Sequence, residues 1–145
     1  CTQQPGEQPG QCVQNDAMKT LIDNIERSDA FIFASPTNFG CVTAVFKRFM
    51  ERLVVYGYWP WGSNAPILRK ANSPRKKAIL VSSCAAPGIL GRLIYGTGKQ
   101  LKTTAQTIGA DVVGTVFTGA VAKQKNTVLS GKLRCKLRQT ARKLL

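Results

Sequence analysis

The sequence contains no histidine. That excludes Ser-His-Asp triads, histidine proton shuttles and histidine-ligated zinc within these residues. Acidic side chains are scarce: seven Asp+Glu against 21 Lys+Arg give a formal charge of +14. No apolar run approaches the ~18 residues of a membrane-spanning helix. No Arg-flanked apolar stretch has the form of a secretory signal. A membrane partner is therefore not expected. The five cysteines (Cys1, Cys12, Cys41, Cys84 and Cys135) include no C-x-x-C pair, which excludes zinc-ribbon and thioredoxin patterns. Their odd number leaves at least one thiol free, which fits a reducing cytoplasm.

What is present suffices for a packed core. The chain has 145 residues, 43% of them hydrophobic, so disorder is not expected despite the charge. This length predicts a single domain over residues 1–145, opening with a loop over 1–14. Residues 1–11 are rich in Gln, Pro and Gly, there is no initiator methionine, and the expectation is that the natural protein begins earlier.

Helical and strand patterns then alternate. Asn15 or Asp16 caps a helix whose Met18, Leu21, Ile22 and Ile25 share one stripe. Ala30-Phe31-Ile32-Phe33-Ala34 is a wholly apolar run, predicted as a strand covered on both faces. A second helix carries Val42, Val45, Phe46, Phe49 and Leu53 on one face. Residues 56–74 are irregular around Tyr56, Tyr58, Trp59 and Trp61. Lys77-Ala78-Ile79-Leu80-Val81 is a second buried-type strand. A third helix, starting at Leu90 or Lys99, ends at Ile108 with Gly109 as its stop. A third strand spans 111–117, and a basic amphipathic helix follows from Thr127 to Leu145 with Leu129, Leu133, Leu137 and Ala141 on its stripe. Such alternation predicts an α/β fold: a doubly wound parallel sheet in a three-layer αβα arrangement.

In open α/β sheets, ligands sit beyond the carboxyl ends of the strands. Two loops occupy such ends: Ser35-Pro36-Thr37-Asn38-Phe39-Gly40, and Ser82-Ser83-Cys84-Ala85-Ala86-Pro87-Gly88. Their small residues let a ligand approach the backbone. The first loop runs into a helix, so its N–H groups face an electron-rich group, and Phe39 adds a flat apolar surface. Positive charge concentrates over 69–77 and 123–143, including Lys132, Arg134, Lys136, Arg138, Arg142 and Lys143. No nucleic-acid motif accompanies it, and the simplest reading of the last helix is the solvated outer face of a sheet-covering helix.

The stretch Ser28-Asp29-Ala30-Phe31-Ile32-Phe33-Ala34 and the first loop resemble the "A-D-A-I-I-F-G-S-P-T-Y-F-G" signature of flavodoxin-like NAD(P)H-dependent FMN oxidoreductases. Val42-Thr43-Ala44-Val45-Phe46-Lys47-Arg48-Phe49-Met50-Glu51-Arg52 resembles the family's "V-S-A-x-x-K-x-F-x-D-R" helix. Gln11-Cys12-Val13-Gln14-Asn15-Asp16-Ala17-Met18 resembles its "G-x-C-V-x-x-D-D-M" segment, and residues 104–115 resemble its last helix-to-strand crossover. The resemblance implies five parallel strands ordered 2-1-3-4-5, of which these residues hold the last three. The family's first two strands and its "G-S-P-R-x-x-G-N-T" phosphate loop have no counterpart here, which implies about 70 further N-terminal residues, a βαβ unit plus a loop.

The resemblance further implies FMN as cofactor and NAD(P)H as co-substrate, with a quinone, a flavin or a similar small molecule as electron acceptor. Ser35, Pro36, Thr37, Asn38, Phe39 and Gly40 would line the flavin ring through backbone amides. Ser82, Ser83, Cys84, Ala85 and Gly88 would form the second flavin-side loop. Asn38 stands where the family often has an aromatic residue. Cys12, and with it Cys1, matches family cysteines, but the pair is not the compact cluster that holds iron and sulfur in some relatives, so no such cluster is expected. No catalytic acid or base is assigned. A homodimer or homotetramer is implied, with the 56–61 aromatic run as lid or subunit contact if exposed. Without the phosphate loop, weak FMN binding is expected of these residues alone. The alternatives are a flavodoxin-type electron carrier, against which the basic charge counts, and a basic module that binds nucleic acid or another polyanion.

Overall fold

The computed structural model describes residues 5–6, 8–122 and 128–145. Cys1, Lys123 and the expected helix start at Thr127 lie outside the described residues. In chain order the elements are α1 (Met18–Arg27), β1 (Ala30–Pro36), α2 (Ala44–Arg52), a 3-10 turn (Leu53–Tyr56), β2 (Gly57–Tyr58), β3 (Ile67–Leu68), β4 (Lys76–Ser83), α3 (Gly88–Ile94), α4 (Thr97–Thr107), β5 (Ala110–Thr118) and α5 (Gly131–Ala141).

β1, β4 and β5 form a parallel sheet in that order. α2 and the pair α3–α4 make the crossovers, as a parallel pair requires. The expected α/β architecture of a parallel sheet flanked by helices is therefore present. Pairing of β5 jumps from Val112 to Gly114, so Val113 is an extra residue that bends the strand. β2 and β3, within the stretch expected to be irregular, form a short antiparallel ladder of their own.

α4 covers one face of the sheet. Leu101, Ala105 and Ile108 meet Phe31, Phe33, Ala78 and Leu80 there, and Met18, Ile22 and Ile25 of α1 close the same core. Each large side chain buried here contributes about 1.5–3 kcal/mol. Leu21 lies at the flank of the α1 stripe and is half-exposed, as is the pattern when a helix rests on one side only. Asp16 caps α1 as expected, its Oδ1 accepting from the Met18 N–H at 2.9 Å. In α2, Phe46 and Phe49 pack against the core, whereas Val45 points to solvent.

α5 lies over Gly114 of β5, where Thr140 fills the space a side chain would take. Ile32 shares this face, since Ile32 is in register with Ile79 and Ile79 with Gly114. α5 leaves it uncovered, and Ile32 is 63% exposed. The expectation of a doubly covered first strand is thus corrected: β1 alternates between Phe31 and Phe33 facing the core and Ile32 facing outward. An apolar run records hydrophobicity but not which helix reaches which strand.

One further expectation changes. The single third helix is two helices, broken at Tyr95 and Gly96, where the Gly96 N–H leaves the helix to bond the Gly40 carbonyl at 2.8 Å. The positive cluster at 69–77 is largely taken up internally. Arg69 is buried and donates to the carbonyls of Val55 (3.0 Å) and Gly6 (3.1 Å). Lys70 pairs with Glu26 at 2.6 Å, Arg75 with Asp111 at 3.0 Å, and Lys76 donates to the Ile25 and Glu26 carbonyls. The α5 cations remain exposed.

Candidate functional site

The parallel register places Ser35 beside Ser82 and Pro36 beside Ser83, so the two predicted loops leave the sheet side by side. The Thr37 N–H donates to the Ser83 carbonyl at 2.8 Å, and the hydroxyls of Thr37 and Ser82 lie 3.5 Å apart. Thr97, wholly buried at the start of α4, donates its hydroxyl to Thr37 Oγ1 at 3.0 Å. Sheet and helix are stitched together directly beneath the site.

Several predicted residues turn out to be supports. Ser35 is buried; its Oγ accepts from the Thr43 N–H (3.1 Å) and donates to the Pro36 carbonyl (3.0 Å). That sets Thr43 to cap α2, its hydroxyl accepting from the Phe46 N–H at 3.3 Å. Ser82 is buried, as is Cys84, whose thiol donates to the Ala86 carbonyl at 3.2 Å. Ser83 and Thr37 are half-buried. Pro36, Asn38, Phe39 and Ala85 are exposed, and Gly40 and Gly88 are half-buried.

The outward part of the first loop is a tight reversal. Asn38 and Cys41 pair through two backbone bonds of 2.9 and 3.0 Å. Phe39, at the turn, has φ +47° and is 107% exposed relative to an extended chain. A bulky residue in the left-handed region with its ring in water is costly in both respects, and such strain concentrates at binding sites. Gly40 follows at φ +79°, and a Cβ there would lie 3.4 Å from the Tyr95 ring. The N–H groups of Phe39, Gly40, Ala85 and Ala86 have no protein acceptor among the described residues. Backbone N–H groups left unpaired at such turns are dipoles that favour an electron-rich partner.

A third loop completes the rim, and the sequence reading missed it. After β5, Ala120 donates its N–H to the Ala86 carbonyl at 2.8 Å, and the Thr118 carbonyl accepts from the Cys84 N–H at 2.9 Å. Gly119 lies so close to Gly88 that a Cβ would overlap the Gly88 backbone. Gly119-Ala120 after an apolar strand was the available signal, because every parallel strand ends on this same edge.

A separate cluster lies at the start of α1. Arg52 makes a two-point contact with Asp16 (2.7 and 3.1 Å) and donates to Cys12 Sγ at 3.1 Å. Its hydrogen bond holds the Asp16 carboxyl below the usual range, with help from the Met18 N–H. The Cys12 thiol is also lowered, first by the Gln14 backbone and then by Arg52. Tyr56 is raised, first by burial and then by its 2.8 Å bond to Glu26. Among the described residues no three Cys, Asp or Glu converge as metal ligands.

Residues 2–118 match the family model of NADPH-dependent FMN reductases. An iron-sulfur flavoprotein of Archaeoglobus fulgidus is 47% identical over 51 residues, a match spanning 35% of this chain and 23% of that protein. Two solved structures share the fold at 19% identity. One is a thermophilic tryptophan halogenase from Streptomycin violaceusniger (TM-score 0.53, covering 90% of this chain and 74% of that one). The other is general stress protein 14 of Treponema denticola in complex with FMN (TM-score 0.51, covering 90% and 72%).

Proposed function

The chain belongs to the NADPH-dependent FMN reductase family, and from that premise we propose that it holds FMN on the carboxyl edge of its sheet and serves electron transfer from NAD(P)H to a small-molecule acceptor. The observation that carries this reading is the pair of adjacent loops with unpaired N–H groups at Phe39, Gly40, Ala85 and Ala86, rimmed by small residues. These features fit a flat, electron-rich ring better than a metal or an acyl group.

When bound, FMN would supply the redox chemistry of transfer from NAD(P)H to the acceptor. The protein's residues bind and orient. Phe39 offers a flat apolar face at the ring edge. Gly40 leaves the backbone free to come close, since it has no side chain between loop and ligand. The four N–H dipoles, fixed by the bonds beneath them, stabilise negative charge without reorganising. Ser35, Ser82 and Cys84 act from below by holding those dipoles in place. No histidine is needed, because no side chain has to carry a proton in this scheme.

A quinone, a second flavin or a similar planar molecule is the proposed acceptor, and the cytoplasm the proposed setting. A homodimer or homotetramer is the proposed assembly. Trp61, 87% exposed on the β2–β3 hairpin, supports an aromatic subunit contact. Among the described residues no helix is long and apolar enough to cross a membrane.

The test is a visible absorbance spectrum of the full-length protein supplied with FMN, recorded before and after anaerobic addition of NADPH. The expected result is a flavin band that shifts on binding and bleaches on reduction. Protein that leaves the FMN spectrum and fluorescence unchanged would reject the reading.

A further inference from the structure

Beside the flavin-loop region lies a groove of about 810 Å³ between α3, α4 and β5, within the size range of small-molecule sites. It begins where the first loop ends: the Gly96 N–H bonds the Gly40 carbonyl, and the Tyr95 ring lies against Gly40. Tyr95 and Phe117 give it aromatic walls, and Arg92, Lys99 and Lys102 line it as cations. Among the described residues none of these three makes an ion pair or a side-chain hydrogen bond. Neither α3 nor α4 contains an acidic residue. Among the described residues the one acid on the groove, Asp111, is engaged by Arg75 at 3.0 Å and so does not neutralise the lysines.

Lys99 and Lys102 are three residues apart and therefore neighbours on one face of α4. From Gly96 to Lys102 the helix advances about 9 Å, so the cations extend away from the loop rather than crowd it. A quinone or a bare flavin ring would use the aromatic walls but not three unpaired cations. A nucleotide with several phosphates uses both.

Resting on the reading proposed above, we infer that this groove binds the phosphate-bearing adenosine half of NADPH, with Arg92, Lys99 and Lys102 as the determinants that favour it over NADH. The nicotinamide half then points back along Tyr95 towards Gly40 and the flavin loop. Lysines at such a site act as charge-assisted donors to phosphate oxygens, each bond about twice as strong as a neutral one.

The test uses 2′,5′-ADP as probe, titrated calorimetrically into wild type, Arg92→Gln and the double variant Lys99→Gln/Lys102→Gln, beside 5′-AMP. All three side chains are exposed, and far-UV circular dichroism melts confirm that the variants fold. The expected result is that wild type binds 2′,5′-ADP about tenfold more tightly than 5′-AMP, that the double variant loses this difference, and that added salt weakens the probe. In turnover, the ratio of kcat/KM for NADPH to that for NADH falls about tenfold in the double variant. Equal affinity for the probe in wild type and double variant, or no binding at all, would overturn the assignment. Flavin reduction by NADPH separates the two ideas. Reduction that is indifferent to the substitutions removes the groove and leaves the proposed function. Probe binding that is lost with the lysines, in a protein that NADPH never reduces, supports the groove and removes the function.

Discussion

Replacing Phe39 with glycine separates backbone strain from ligand contact at one position. The residue sits at φ +47° with its side chain fully in water, so in the free protein its ring stabilises nothing. The left-handed conformation costs a non-glycine residue about 1–2 kcal/mol, which glycine does not pay. Glycine in turn loses roughly 0.5–1 kcal/mol more chain entropy on folding. The net expectation is a stability change between about zero and +1.5 kcal/mol, at most roughly 6 °C upward in Tm. Binding should respond in the opposite sense. If one face of the ring covers the flavin edge, about half of a full phenylalanine burial is lost, about 0.75–1.5 kcal/mol, or roughly three- to twelvefold in Kd. Thermal unfolding followed by circular dichroism gives the first quantity, and quenching of FMN fluorescence gives the second. Phe39→Tyr keeps the surface and should keep the affinity. A Tm that falls by more than about 4 °C would show that Phe39 packs on its own protein. An FMN affinity within twofold of wild type would refute its role at the flavin.

The three-loop rim gives a prediction of contrasting neighbours. Gly119→Ala drives a Cβ into the Gly88 backbone and to 2.8 Å from the Ala86 carbonyl, with no flexible side chain to yield. A loss of about 3 kcal/mol is expected in urea unfolding, with weaker FMN binding. Gly88→Ala meets the Gly119 backbone at an ordinary 3.5 Å and should be near neutral; similar losses for both would contradict the packing described. Tyr56→Phe removes the bond to Glu26 and should lower stability by about 1.5–3 kcal/mol near neutral pH. Because the folded tyrosine titrates above its ordinary value of 10.0, its contribution is complete below that pH and is lost as pH rises through the higher folded value. The gap between wild type and Tyr56→Phe, followed as Tm from pH 8 upward, should therefore narrow above pH 10; a constant gap would count against the burial of this hydroxyl.

Much of this protein is legible locally. Helix stripes such as Met18, Ile22 and Ile25, the apolar strands ending in Ser-Pro and Ser-Ser, and the glycine after Ile108 are short-range signals, since backbone preference and hydrophobic period are set within a few residues. The order of those elements was enough for a parallel α/β sheet, and the parallel sheet was enough to place two ligand-facing loops on its carboxyl edge. Only the tertiary structure decided which loop residues face outward and which support. Ser35 and Phe39 are four residues apart in one motif, yet one is buried beneath Thr43 and the other stands in water. It likewise decided that Arg69 and Lys70 are internal clamps while Lys99 and Lys102 stay free, and that Gly119 meets Gly88 across the rim. These outcomes depend on contacts between residues tens of positions apart, and a side chain's burial and partners are fixed by whichever distant element the fold lays against it.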